Sequence, residues 1–169
     1  ALNSGAQALA CKVDVRDEAS CRACAKAAKE TFGSVDILIN NASALWWQYI
    51  KDTPMRKYDL ITGVNARGTF CMTSACLPYM AEKGWGRVVC MSPAIDPDFR
   101  RYGGATAYNI SKMGMSMVAM GVAAEYKGKG IIANTMWPAT VIESLAATNF
   151  QLGDRKNWRR ATIIADATA

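Results

Sequence analysis

The sequence predicts an α/β fold, a single domain in which helices cover both faces of a parallel, doubly wound sheet. Three observations predict it. Four apolar runs, at residues 8–15, 35–39, 87–91 and 131–136, alternate with segments of helical periodicity. The runs are solid rather than alternating, the mark of strands buried on both faces of a parallel sheet. The chain has 169 residues, 51% of them apolar and 20% charged, enough to bury one core of ordinary size and too apolar for disorder.

In chain order, residues 8–15 read as a strand that runs into Asp17, a helix N-cap. Cys21, Ala25, Ala28 and Phe32 then recur at helical spacing, and Gly33 supplies the C-cap. Residues 35–39 form the second strand, bounded by Asn40-Asn41. Thr53-Pro54 joins a capping hydroxyl to a proline suited to the first helical position. Helical pattern follows to about Lys83, with breaks expected near Gly63 and Pro78. Gly84 and Gly86 punctuate it before the third strand at 87–91, and residues 92–104 read as a loop. Helical spacing returns over 106–126, Gly128 and Gly130 end it, and 131–136 is the fourth strand. From Val141 the tail reads as a polar helix whose last apolar pair is Ile163-Ile164.

Composition excludes several chemistries. With no histidine in the chain, Ser-His-Asp and Cys-His triads and imidazole metal ligation are ruled out. Six cysteines, mostly inside apolar patterns, read as reduced, buried thiols of an intracellular, reducing compartment. Cys21 and Cys24 have redox spacing but fall mid-helix, which is a structural placement. The net charge of +6 is scattered, and its densest cluster, Arg155, Lys156, Arg159 and Arg160 around Trp158, reads as the solvated face of a surface helix. No nucleic-acid partner is expected. The most apolar stretch, 113–124, contains Ser116 and falls well short of the ~20 residues that a membrane span needs. Residues 1–10 lack the basic flank of a signal peptide.

In a parallel sheet, ligands bind beyond the carboxyl ends of the strands. Those positions carry Asp14, Asn40-Asn41-Ala42-Ser43, Ser92 and Trp137-Pro138. Each could be a turn former, but all four sites are small or polar, as a hydrogen-bonding ligand requires. The sharper signal is Tyr108-Asn-Ile-Ser-Lys112 at the start of a helix. Residues four apart share a helix face, so an ammonium can lie against a phenol. A nearby cation favours the phenolate and brings a tyrosine towards acid–base work at neutral pH. Trp46 and Trp47 follow the Asn-Asn segment and are candidates to line an apolar pocket.

The order of these landmarks resembles the short-chain dehydrogenase/reductase family from end to end: Asn40-Asn41-Ala42, Val64-Asn65, a strand ending in Ser92, Tyr108 with Lys112, then 131–138. Asp59, Gly68-Thr69-Phe70, Pro78 and Met80 are similar to its pattern too. Within the family the chain looks most like the hydroxysteroid-dehydrogenase-like group, on Val13-Asp14-Val15-Arg16-Asp17-Glu18, Met91-Ser92-Pro93, Lys112-Met-Gly-Met-Ser116 and Ile163-Ile-Ala-Asp-Ala167. The resemblance implies an oxidoreductase that interconverts an alcohol and a carbonyl with NAD(P), NADP ahead of NAD. In it Tyr108 is the proton donor or acceptor, and Lys112 lowers the phenol's pKa and binds the nicotinamide ribose. Asn65 holds a relay water, and Ser92 polarises the substrate oxygen. Asp14 meets the adenine, Asn40 and Ala42 the adenosine side, and Pro138 with the residues after it the nicotinamide.

Two departures accompany it. Ser92 lies sixteen residues ahead of Tyr108 and is followed by Pro93, a longer gap than the family's usual one, with a loop around 96–101 that could carry a donor into place. The family's opening strand, its Gly-rich phosphate turn, its second strand and its last strand have no counterpart in residues 1–169. The expectation is therefore one partial, Rossmann-like domain, a piece of a longer enzyme, inactive alone. The alternative is a non-catalytic remnant or interaction module of the same fold, inactive because the dinucleotide-phosphate loop is absent. The implied partners are a small alcohol or carbonyl and, at full length, further copies of the chain. The implied compartment is the cytoplasm, or by resemblance a peroxisome or mitochondrion.

Overall fold

The computed structural model describes residues 5–93, 95–138 and 141–159 of the chain. Strands β1 (Ile37–Asn40), β2 (Gly86–Met91) and β3 (Ile131–Met136) form one sheet in that order, and both ladders are parallel. Helix α1 (Glu18–Phe32) precedes β1, α2 (Met55–Thr62) and α3 (Gly68–Lys83) link β1 to β2, and α4 (Thr106–Glu125) links β2 to β3. Parallel neighbours need such crossovers, and helices supply them here. The predicted α/β architecture is present.

Register decides which side chains meet the helices. Leu38, Val88 and Ala133 align across the sheet, as do Asn40, Cys90 and Thr135. Leu38, Val88, Cys90, Ile131 and Ala133 pack with Cys71, Ala75, Met80, Met115 and Ala119 of α3 and α4. The alternate row faces the other way: Ile37 is 58%, Ile39 61% and Ile132 49% exposed. Burial of the strands on both faces was expected, and among the described residues only the helix-side row is buried. A solid apolar run shows that both rows are apolar, not what covers each.

The predicted strand at 8–15 is a second difference. These residues make no ladder, since β1 pairs only with β2 among the described strands and an extended run without a neighbour has nothing to bond. The segment lies along α1 instead. Its Asp14 N–H donates to Ser20 Oγ at 3.1 Å, and Val15 fills the space where a Cβ on Gly68 would stand 2.7 Å from its methyl.

Local signals explain the helix ends. Asp17 caps α1 by accepting from the Ser20 N–H at 2.9 Å, and Gly33 ends it at φ 83°. Pro54 occupies the cap position of α2 rather than its first turn, and the Thr53 hydroxyl donates to the Tyr49 carbonyl instead of capping. The break expected near Gly63 is a wide turn over Gly63–Arg67, in which the Gly68 N–H donates back to Gly63 O. The break expected at Pro78 is absent; α3 continues through it. The tail is less helical than predicted: α5 (Leu145–Phe150) is followed by a single turn over Arg155–Asn157 and a bridge from Ile142 to Arg159. Arg155, Lys156 and Arg159 thus flank Trp158 on a turn rather than a helix. Arg160, Ile163 and Ile164 lie outside the described residues.

One glycine is irreplaceable on geometric grounds. Gly130 has φ +78°, and a Cβ there would meet the Gly84 carbonyl oxygen at 1.9 Å. That contact is backbone on backbone, beside the bond from the Gly86 N–H to Gly130 O that starts the β2–β3 pairing. Gly130→Ala should destabilise the protein by about 3 kcal/mol or more, combining left-handed strain with the clash. Gly33→Ala, with the same handedness and open space around it, should cost only about 1 kcal/mol. Urea unfolding of the two variants checks the ordering.

Candidate active site

The site forms where β2 ends and α4 begins. Tyr108 and Lys112 stand one turn apart on α4, facing the same way, with the Lys112 Nζ 5.8 Å from the centre of the phenol ring. Lys112 is only 6% exposed. Its ammonium donates to the Met91 carbonyl at 2.8 Å and touches Met115 Sδ at 3.6 Å. Among the described residues that is one oxygen and one weak sulfur acceptor for three protons, which leaves donor capacity of the buried cation for a further partner. Trp47, from the segment after β1, lies against Tyr108 with ring centres 5.7 Å apart at 42°.

Asn65 sits in the wide turn between α2 and α3 with no exposed surface. Its Oδ1 accepts from the Ala44 N–H at 2.7 Å, and its Nδ2 donates to Ala44 O at 2.9 Å and to Ser111 Oγ at 2.8 Å. Ser111 in turn donates to the Tyr108 carbonyl at 2.7 Å. Both amide protons of Asn65 are therefore engaged by protein. The side chain ties the loop after β1 to the first turn of α4.

Burial sets the electrostatics. It pushes the Tyr108 phenol above its ordinary value, with the neighbouring Ser43 side chain acting the other way. The same desolvation brings Lys112 down to about 8, opposed by Cys90. The sequence suggested that the ammonium would lower the phenol; in the structure, loss of water dominates both groups and favours both neutral forms.

The other candidates divide. Ser92 is buried, but its hydroxyl contacts Ser116 Oγ and donates to the Lys112 carbonyl at 3.3 Å, so it points into α4. The loop after it folds on itself, with Asp98 gripping Arg100 and the Tyr102 hydroxyl on Asp96. Asn40 also points inward, its amide donating to Thr73 Oγ1 at 3.1 Å, because register puts it on the helix-facing row. Asp14 is exposed and bonded through both oxygens to the Arg16 guanidinium, which holds its carboxyl down to about 2. Ala42 is exposed and Pro138 partly so; Ala139 and Thr140 lie outside the described residues. Sequence reasoning gave no role to Ser43 or Ser111. Ser43 was visible as part of the polar strand end, whereas the bridge made by Ser111 depends on the wide turn bringing Asn65 to α4. Among the described residues, no cluster of three or more Cys, Asp or Glu could hold a metal ion.

The arrangement is a partly buried phenol beside a buried amine at a strand end. Residues 1–151 match the short chain dehydrogenase family, and the chain belongs to that family. Hydroxysteroid dehydrogenase-like protein 2 of Xenopus tropicalis is 41% identical over 165 residues, which span 97% of this chain and 39% of that protein. The Homo sapiens protein of the same name is 40% identical over 164 residues, 96% of this chain and 39% of its own length. A crystal structure from Xanthomonas campestris superposes with a TM-score of 0.91 at 41% identity, covering 99% of this chain and 61% of that one. A short chain dehydrogenase from Mycobacterium thermoresistibile gives 0.88 at 33% identity, over 99% of this chain and 60% of its own.

The buried amine makes a pH prediction. Lys112 has a folded pKa of about 8 against an ordinary 10.5, so the unfolded chain holds that proton more tightly. Its penalty is fully present below the folded value and is relieved as pH rises between the two, a gain of about 3 kcal/mol when complete. Urea unfolding across that window should show the wild type gaining stability relative to Lys112→Met. Parallel curves would mean that the amine is solvated.

Proposed function

We propose that this chain carries the acid–base site of an NAD(P)-dependent oxidoreductase interconverting a small alcohol and its carbonyl. The observation that carries the reading is the Tyr108–Lys112 pair, desolvated on one face of α4 at the carboxyl end of β2, in a chain with no histidine to take the role. In carbonyl reduction Tyr108 donates its proton to the substrate oxygen, and in alcohol oxidation it accepts one. A neutral phenol, which burial favours, is the form that donates. Lys112 has donors left over for a ribose hydroxyl, the feature of this site that fits a dinucleotide. Bound there, the cofactor supplies hydride transfer. Ala42 and Pro138 lie open at strand ends on its path, and Asp14 reaches the adenine side once Arg16 shares it. Asn65 positions Tyr108 through Ser111, and Trp47 gives the substrate an apolar wall. Ser92 reaches the substrate oxygen only if its hydroxyl leaves Ser116. NADP ahead of NAD follows the resemblance alone.

Three partner and location readings belong with it. No described helix is long and apolar enough to cross a membrane. The six cysteines are all free thiols, which supports a reducing compartment. Phe70 and Met117, 65% and 64% exposed, border the α3–α4 face, where a groove of about 370 Å³ is lined by Leu77, Val118 and Gly121; that face supports self-association of the whole protein.

In the whole protein Tyr108→Phe should lower turnover at least about a hundredfold while cofactor affinity stays unchanged. Turnover within about threefold of wild type would remove Tyr108 from the reaction.

The second reading, a non-catalytic module of the same fold, is favoured by one observation. Residues 1–169 contain no Gly-rich phosphate turn, and Asp14 and Asn40 are already engaged by Arg16 and Thr73. Pyrophosphate affinity in such folds comes from backbone N–H groups at a helix N-terminus, and the few remaining contacts must offset the entropy of fixing a long ligand. Calorimetric titration of residues 1–169 with NADH or NADPH should give a Kd no tighter than about millimolar. A micromolar value would show that other residues here seat the pyrophosphate.

A further inference from the structure

The last residue of β2 and the one after it meet Lys112 at two points. The Met91 carbonyl accepts from the Lys112 ammonium at 2.8 Å, and the Ser92 hydroxyl donates to the Lys112 carbonyl at 3.3 Å. The end of one strand therefore holds both the backbone and the side-chain tip of the same lysine.

The backbone fixes the direction of Ser92. Its N–H donates to Met136 O at 3.2 Å, which carries the β2–β3 pairing one residue past Met91. Pro93 restricts the residue ahead of it to extended conformation. Alternation then puts Ser92 on the row of Val88 and Cys90, which faces the helices, and Ser92 is buried there. Its oxygen meets the hydroxyl of Ser116, one turn beyond Lys112 on α4. With Ser116 donating to Ser92 and Ser92 donating to Lys112 O, both hydroxyl protons are used inside the protein.

We propose that Ser92 is a positioning residue, whose hydroxyl fixes the turn of α4 that carries Lys112 and so sets where the ammonium stands beside Tyr108. This departs from the role that the resemblance implies for it, contact with the substrate oxygen. A lysine amine sits on a long, flexible stem, so its place depends on where the stem starts and what holds its tip. Ser92 holds the start and Met91 the tip. The other contact of the amine, Met115 Sδ at 3.6 Å, lies on α4 itself and moves with that helix. Among the described residues, the titratable groups facing the amine are Tyr108 on α4 and Cys90 on β2, and no carboxylate is bonded to it. Hydrogen-bond geometry rather than an ion pair places this cation, so no charge partner makes up for a lost hydroxyl. The clamp is independent of the proposed activity; only the cofactor arm of its test rests on that reading.

The test compares wild type, Ser92→Ala, Ser92→Cys and Ser116→Ala in the whole protein. The first arm is urea unfolding between pH 8 and 10.5, the window over which wild type sheds the cost of its buried ammonium. In Ser92→Ala the amine swings off Met91 towards water, its pKa returns towards the ordinary value, and the gain across the window falls to about half or less. Ser92→Cys, a weaker donor of similar size, should fall between. Ser116→Ala deletes a neighbouring buried hydroxyl but keeps the Ser92–Lys112 bond, and its curve should run parallel to wild type. The second arm is titration with NADPH and NADH, where Ser92→Ala should raise the Kd at least about tenfold through the misplaced amine. A residue that only touches the substrate oxygen would leave both readouts unchanged. Parallel unfolding curves for wild type and Ser92→Ala, or an equal flattening in Ser116→Ala, overturn the proposal. A flattened curve for Ser92→Ala with an unchanged Kd, or a wild type that binds neither dinucleotide, upholds the clamp and removes Lys112 from cofactor binding instead.

Discussion

The geometry of the site depends on one buried carboxamide. Asn65 bonds both the N–H and the carbonyl of Ala44 and also the Ser111 hydroxyl, so it joins the segment after β1 to the first turn of α4. These groups are secluded from water, and a buried amide left unpaired costs about 1–3 kcal/mol per group. The three bonds therefore stand or fall together. Asn65 can reach all of them because the helix widens over Gly63–Arg67, turning its side chain off the regular helical path. Gly114 of α4 completes the fit, since a Cβ there would stand 2.6 Å from the Ala66 Cβ. Close approach of the wide turn to α4 is what places Tyr108 beside Trp47.

That same close packing removes water from the Tyr108–Lys112 pair and reverses the simple electrostatic expectation. A solvated lysine beside a tyrosine would lower the phenol. Here both groups lose hydration, and the neutral state of each becomes the favoured one. The amine is held by a neutral carbonyl, Met91 O, rather than by a carboxylate, and Cys90 offsets only part of the cost of its charge. A pair poised this way answers strongly to any polar group that enters. A ligand hydroxyl accepting from Lys112 would favour the ammonium, and the ammonium would then act on Tyr108.

Several parts of this structure were legible in the sequence because they are local. Asp17 and Gly33 bound α1 through caps that need only their own neighbours, and Tyr108 and Lys112 share a face by helical periodicity alone. Three strands were found from apolar runs flanked by glycine and polar residues. What could not be read depends on partners distant in the chain. Residues 8–15 have the composition of a strand, but a strand exists only where another offers its N–H and carbonyl groups. Asn40 and Ser92 were rightly placed at strand ends, yet register turned Asn40 towards Thr73 and the packing of α4 turned Ser92 towards Ser116. Position along the chain is a local property, while the direction of a side chain at a strand end belongs to the assembled sheet.

The sheet also separates two tasks. The Tyr108–Lys112 pair is held from the helix-covered side, by β2, α4 and the wide turn, through hydrogen bonds among Ala44, Asn65, Met91, Tyr108, Ser111 and Lys112. The exposed row of Ile37, Ile39 and Ile132 and the open edge of β1 contribute nothing to those bonds. An apolar edge strand of this kind is a template for pairing, so whatever covers it affects the stability and solubility of the protein before it affects the geometry of the phenol and amine. The Tyr108–Lys112 arrangement is therefore made by residues that include no phosphate cradle. On the proposed function, ligand affinity and proton chemistry rest on different stretches of backbone, and a loss of cofactor binding leaves the arrangement of Asn65, Ser111 and Tyr108 in place.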